Sequence, residues 1–237
     1  MARSFSDVEY NYKTICENIA KAAQSVGKTA EDITFLAATK TVDAPTINHA
    51  ISLGLRYIGE NRVQELLSKY EEYDLEHASL QFIGHLQSNK VRQIVGKVDL
   101  IQSVDSLKLA EEISRCSQKL GISTDILLEV NIGREENKSG VLPEALYELL
   151  DQIREIPAVK VRGLMAIPPI CENAQENCKY FDNMRNMFLD IRSKNIDNIS
   201  MDILSMGMSD DYAEAIRCGA NMVRVGSALF GARNYNV

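Results

Sequence analysis

From Ile33 to Phe230 the sequence repeats one pattern eight times: a short apolar run rich in β-type residues, then a stretch with helical periodicity. The runs are Ile33–Lys40, Arg56–Gly59, Leu80–Gly84, Leu100–Val104, Asp125–Asn131, Val159–Ala166, Met201–Ser205 and Met222–Val225. Strands covered on both faces read as near-continuous apolar runs, and successive parallel strands need a crossover helix between them. Eight β–α units is the number that closes a parallel barrel. An open doubly wound sheet is the competing solution. It would be expected to carry a glycine fingerprint after the first strand, and Thr39-Lys-Thr-Val42 has none. The expected fold is therefore α/β: a single (β/α)8 TIM-type barrel with an extra N-terminal helix.

The intervening helices carry their own punctuation. The first, over about residues 7–26, places Val8, Tyr12, Ile15, Ile19 and Val26 on one face and stops at Gly27. Asp43 with Pro45 opens the helix that closes at Gly54. Another runs from about Asn61 to Tyr70, and Ser88 caps the one carrying Val91, Ile94 and Val95. Leu109, Ile113, Cys116 and Leu120 form a stripe ending at Gly121, and Leu146, Leu149, Leu150 and Ile153 form the next, after Pro143. Met184, Met187, Phe188 and Ile191 share one face, which reads as core. A helix from Ser209 to about Cys218 ends at Gly219, and Ser227–Phe230 begin a last turn. No linker or low-complexity run interrupts the series, so 1–237 reads as one domain, with 1–30 a helical extension and 31–237 the barrel.

Composition removes several function classes. A net charge of −7 argues against a general nucleic-acid binder, which needs a basic surface to displace phosphate counterions. The five cysteines (16, 116, 171, 178 and 218) are scattered, with no pair at CxxC spacing, and there are only three histidines (49, 77 and 85). Neither a disulfide framework nor a zinc site is suggested. The first residues lack a hydrophobic signal region, and no apolar run approaches the ~18 residues of a membrane span. The expectation is a cytoplasmic protein that works as a monomer, in which the sequons at Asn137 and Asn198 carry no meaning.

In a parallel barrel, chemistry gathers at the carboxyl ends of the strands, often with a phosphate site after strands seven and eight. Lys40 ends the first strand. In apolar surroundings its charged form is disfavoured, which makes a reactive amine; a lysine leaving a strand for solvent would look the same in isolation. After strand seven comes Ser209, read as the start of a helix, and after strand eight come Gly226 and Ser227 at another. Both helix starts would aim backbone N–H groups at a dianion, although Asp210 and Asp211 would repel it unless they point away. Closure brings strand eight, with Arg224, beside strand one and Lys40. A lysine for the aldehyde, a phosphate cradle and a side chain for the pyridine nitrogen together fit pyridoxal 5′-phosphate. An aldolase-type Schiff-base barrel would use a lysine too, but more usually on a mid-barrel strand.

Seven segments carry a resemblance to a known family: Ala37-Ala-Thr-Lys-Thr41, Ile58-Gly-Glu-Asn-Arg-Val-Gln-Glu65, Phe82-Ile-Gly-His-Leu-Gln-Ser-Asn-Lys90, Asn137-Lys-Ser-Gly140, Arg162-Gly-Leu-Met-Ala-Ile167, Leu204-Ser-Met-Gly-Met-Ser-Asp-Asp211 and Val223-Arg-Val-Gly-Ser-Ala-Leu-Phe-Gly231. Spread in order over nearly the whole chain, they resemble the pyridoxal phosphate homeostasis proteins, and through them the N-terminal barrel of alanine racemase. The resemblance implies a Schiff base on Lys40, phosphate binding at Ser209, Gly226 and Ser227, and Arg224 at the pyridine nitrogen. It implies Asn61 lining the pocket, Met165 and Ser205 as wall residues, and Lys138 as a second lysine of interest for cofactor transfer. His85 departs from the family pattern.

An arginine does not donate a proton, so a ring nitrogen facing Arg224 stays unprotonated and the cofactor is a weaker electron sink. Racemases with that feature draw a tyrosine from a second β domain. This chain ends at Val237, shortly after the eighth unit, so that domain is expected to be missing. The expected function is a role in intracellular vitamin B6 homeostasis, holding or delivering the cofactor, with apo enzymes as recipients and no strong catalysis. A weak amino-acid racemase or decarboxylase is the alternative, and a protein–protein regulator a third reading.

Overall fold

The computed structural model describes residues 4–169 and 174–231. Its eight strands are β1 (Thr34–Ala38), β2 (Tyr57–Glu60), β3 (Ser79–Phe82), β4 (Leu100–Val104), β5 (Thr124–Val130), β6 (Val159–Ala166), β7 (Ile199–Ser205) and β8 (Met222–Val225). They pair in sequence order, all parallel, and β8 closes on β1, so the fold is the (β/α)8 barrel. The crossovers carry α2 (Ala44–Ser52), α3 (Val63–Lys69), α4 (Val91–Ile94), α5 (Leu107–Leu120), α6 (Leu146–Ile153), α7 (Ala174–Ser193) and α8 (Tyr212–Arg217), with α9 (Ser227–Phe230) after β8 and α1 (Phe5–Gln24) ahead of the barrel.

Strand alternation divides the apolar side chains between two cores. Leu36, Ile83, Leu100, Leu127, Met165 and Met222 fill the barrel interior. Their neighbours along each strand point outward and meet the helices, including the buried Met184, Phe188 and Ile191 of the methionine-bearing stripe. Four free cysteines (Cys16, Cys116, Cys178 and Cys218) lie among the described residues; Cys171 lies outside them. No group of possible metal ligands occurs among the described residues, and no helix there is long and apolar enough to cross a membrane.

α1 lies against α8 and α9. Val8, Ile15, Ile19, Ala22 and Ala23 are buried under it, Asn11 donates to the Leu229 carbonyl at 3.0 Å, and Asn18 donates to the Tyr212 hydroxyl at 3.1 Å. Two expected face residues fall outside the core. The helix stops at Gln24, so Val26 is turned out and 41 % exposed; Leu120, the last residue of α5 before the left-handed Gly121, is 57 % exposed. The boundary difference that bears on the site is at α8, which begins at Tyr212 rather than Ser209. Met208 N–H donates to the Asp211 carboxylate and Tyr212 N–H to the Met208 carbonyl, so residues 208–211 form a closed turn before the helix.

Gly163 marks the tightest place in the barrel wall. Its φ is +153°, it sits at a register shift between β6 and β7, and a Cβ there would stand 1.8 Å from the Ile203 carbonyl oxygen. Gly163→Ala is expected to destabilise the fold by about 3 kcal/mol or more, because backbone rather than a flexible side chain must yield. Thermal unfolding should show it as a fall in Tm of roughly 6–12 °C; an unchanged Tm would contradict the close approach.

Candidate functional site

β1 and β8 are hydrogen-bonded neighbours, with Leu36 opposite Arg224 and Ala37 opposite Val225. That register sets the loop after β1 beside the loop after β8. Between them lies a cleft of about 170 Å³ at the carboxyl-terminal mouth, lined by Ala38, Lys40, Thr41, Val42, Met208, Ser209, Asp210, Arg224, Gly226, Ser227, Phe230 and Gly231. Five residues singled out from the sequence thus share one surface: Lys40, Ser209, Arg224, Gly226 and Ser227.

Ser209 contributes differently from the expectation. It is not the start of α8, so its backbone is not part of a helix N-terminus. Its hydroxyl oxygen instead accepts from the backbone N–H of Gly226 (3.1 Å) and of Ala228 (3.2 Å). Two N–H groups at the start of α9 therefore converge on one oxygen position, with a hydroxyl proton left to donate. Gly226 passes close to β1: a Cβ would lie 3.2 Å from the Ala38 carbonyl oxygen and 3.3 Å from the Ala38 side chain. The Ala228 N–H was not singled out from the sequence; alanine carries no signal for a backbone donor.

Arg224 is 4 % exposed. One guanidinium nitrogen donates to Ser205 Oγ and the other to the Ala166 carbonyl at 2.8 Å. The Ser205 hydroxyl donates to Gln102 Oε1 (2.7 Å), and Gln102 Nε2 donates onward to Gln81 Oε1 (2.6 Å), so a polar chain crosses the barrel interior. Burial pulls the Arg224 pKa down to about 10, against the attraction of Glu129 and Asp211. The group is still a cation at neutrality. Burial also pushes the Asp211 carboxyl upward, a shift that its bond from Met208 N–H and the charge of Arg224 oppose.

Met165 and Ser205, expected as wall residues, do not line the cleft. Both are fully buried: Met165 in the interior cluster and Ser205 as the hydroxyl that holds Arg224. Asn61 follows β2 and lies outside the cleft lining; its Oδ1 is buried without a hydrogen-bond partner among the described residues. Lys138 sits on a separate loop, paired with Glu135 and within 3.5 Å of the Pro168 carbonyl. Asn131 holds that loop by accepting from Glu135 N–H and donating to the Glu135 carbonyl. His85 and Ser139 are 3.0 Å apart, which ties the loop after β3 to the Lys138 loop.

Glu129 also escaped the sequence reading. It follows the inward-facing Leu127 by two residues on β5, so it faces the same side of the sheet, and it is 8 % exposed. Burial first, then the nearby charge of Asp105, raises its pKa to about 7, while Arg224 pulls it the other way. Strand periodicity gave the only available signal, and it was hidden in an apolar run.

This architecture defines a (β/α)8-barrel protein with a lysine, a buried arginine and a pair of converging N–H donors around one mouth cleft. The chain belongs to the pyridoxal phosphate homeostasis protein family, which is built on the domain described as "Alanine racemase, N-terminal domain", matched here over residues 11–234. It is 45 % identical over 224 residues to the pyridoxal phosphate homeostasis protein of Aquifex aeolicus, covering 93 % of this chain and 96 % of that protein. Among solved structures it is similar to an unknown protein from Bifidobacterium adolescentis (TM-score 0.90, 34 % identity, 95 % of each chain). It is also similar to PipY of Synechococcus elongatus with PLP bound (TM-score 0.79, 35 % identity, 90 % of this chain and all of that one).

Glu129 makes the stability pH-dependent. Its pKa in the folded protein lies above the ordinary value of 4.5, so the fold favours the protonated form, and stability is lost as pH rises from about 4.5 through 7. Glu129→Gln should remove this loss. The stability of the variant relative to wild type is expected to improve by up to about 3 kcal/mol between pH 4.5 and pH 8. Denaturant unfolding at the two pH values measures it, and parallel pH profiles would refute the shift.

Proposed function

We propose that this protein binds pyridoxal 5′-phosphate as a Schiff base on Lys40 and serves intracellular vitamin B6 homeostasis, holding or delivering the cofactor without strong catalysis. The observation that carries this reading is the convergence on one cleft of Lys40, Arg224 and the Ser209 hydroxyl, which the Gly226 and Ala228 N–H groups hold in place. These residues fit the group: two backbone N–H groups fix the Ser209 hydroxyl at the cleft with its proton free to donate, and the cleft offers a buried cation and an amine. The names of the relatives and the PLP-bound PipY structure support the same choice.

When bound, the cofactor supplies an aldehyde that a primary amine can engage. Lys40 is the amine at the end of β1. Gly226 and Ala228 N–H hold the Ser209 hydroxyl oxygen, which leaves the Ser209 hydroxyl proton to donate to a phosphate oxygen, with Gly226 and Ser227 forming the turn around it. Arg224, held by Ser205 and Ala166, presents a cation that donates hydrogen bonds but does not give up a proton at neutral pH. A ring nitrogen set against it stays unprotonated, which favours holding over carbanion chemistry. Asn61 lines the wider mouth in this reading, Met165 and Ser205 support the site from within the barrel, and apo forms of PLP-dependent enzymes in the cytoplasm are the recipients.

A second reading, weak racemase or decarboxylase activity, takes Glu129 as its acid–base group: it is buried on β5, interacts with Arg224 of the cleft, and its carboxyl is raised by burial to about 7. Following the chirality of L-alanine and other amino acids tests it; turnover above roughly 1 per second would displace the carrier reading.

The purified protein is expected to be yellow, and borohydride should fix the cofactor to one peptide containing Lys40. Lys40→Ala should abolish the trapped product, and label on another lysine would refute the assignment. Ser209→Ala removes one donor to the phosphate and should weaken PLP binding about tenfold, equivalent to ~1.4 kcal/mol, as measured by spectrophotometric titration.

A further inference from the structure

The turn that carries Lys40 is strained and heavily anchored. Thr41 adopts φ +63°, a left-handed conformation that a β-branched residue rarely takes. Such a conformation persists only where its surroundings over-determine it. Here the surroundings come from α3 and the end of β2. Lys69, with its side chain 12 % exposed, directs its ammonium at the Val42 carbonyl (3.0 Å) and the Thr39 carbonyl (3.4 Å), the backbone on both sides of Lys40. The same nitrogen pairs with Glu60 (2.6 Å) and Glu65 (3.0 Å). Glu65 in turn accepts the Thr41 N–H.

Glu60 is fully buried, and one of its oxygens also accepts from the Thr39 hydroxyl (2.7 Å) and the Tyr73 hydroxyl (2.7 Å). Burial and the neighbouring Glu60 carboxylate push the Tyr73 phenol well above its usual range, so it stays a donor. Lys69, Glu60 and Glu65 each reach residues 39–42 directly, and their remaining contacts, with Tyr73 and with one another, tie the group together. None of the clamp residues lines the cleft.

The geometry points to Lys69, with Glu60 and Glu65, as a positioning group that fixes the β1 turn so that Lys40 is presented to an aldehyde in the cleft. This inference rests on the cofactor reading above and deepens it. Phosphate and ring contacts come from β8 and α9, on the other side of the cleft. The clamp therefore governs capture by the lysine separately from the grip on the rest of the ligand.

Two ligands separate those functions. Pyridoxal 5′-phosphate needs Lys40, whereas pyridoxine 5′-phosphate has no aldehyde and reports only the phosphate and ring contacts. In Lys69→Met/Glu60→Gln, which removes both buried charges together and keeps an acceptor for Thr39 and Tyr73, PLP binding should weaken at least tenfold. Binding of pyridoxine 5′-phosphate should change less than twofold. Parallel loss of both ligands, or loss of neither, would overturn the proposal. If that variant fails to fold, Glu65→Ala, on a partly exposed side chain, carries the same test. In the cofactor-free protein, Glu65→Ala should speed hydrogen exchange at the Thr41 amide at least tenfold, and unchanged exchange would overturn the clamp whatever the ligand. Wild type that binds neither ligand would instead refute the cofactor reading, leaving the exchange measurement to decide the clamp.

Discussion

Pairing between the first strand and the last is the constraint on which the rest of this structure depends. Leu36 and Arg224 lie opposite each other across that seam, nearly two hundred residues apart in the chain. Without closure, Lys40 and the Gly226–Ala228 donors would sit on separate edges of an open sheet. With it, a side chain amine and a set of backbone donors come together without either loop being long. The parallel direction matters equally, because it sends every strand's carboxyl end to the same mouth.

Placing Arg224 in that seam requires burying a cation, which is unfavourable unless its hydrogen bonds and charge are answered. Ser205 and the Ala166 carbonyl answer the first need, and Glu129 and Asp211 the second. The Ser205–Gln102–Gln81 chain then occupies interior positions that apolar side chains would otherwise fill. A fixed cation at the mouth and a polar interior are two aspects of one arrangement. Glu129 is the least comfortable member, since its own burial opposes the charge that Arg224 favours.

Much of this architecture is legible in the chain, because buried parallel strands and amphipathic helices leave distinct periodicities. The eight apolar runs correspond to the eight strands, within a few residues at their ends. Ser209 shows where such reading fails. A serine before a helical stretch resembles a cap, but Asp211 closes the preceding turn and the Ser209 hydroxyl is taken by donors from another loop. Val26 lies two residues past the end of its helix, and Leu120 sits on the last, exposed position of α5, so neither is buried by its stripe. The Lys69 contacts were beyond reach for a different reason: they join α3 to backbone carbonyls of a turn, and a carbonyl has no identity in a sequence. Arg224 could be placed at the mouth from its strand, but not the partners that hold it in place.

The N-terminal helix has a consequence for how this protein could be observed. α1 touches α9 and α8 through Asn11 at Leu229 and Asn18 at Tyr212. Those helices begin directly after the loops that form one wall of the cleft. Free energy shared between a ligand and that wall is therefore shared with α1, and such coupling is reciprocal. Whatever tightens the mouth also slows the peeling of the first helix. Resistance of the amino terminus to a protease thus becomes a remote gauge of occupancy at the opposite end of the sequence.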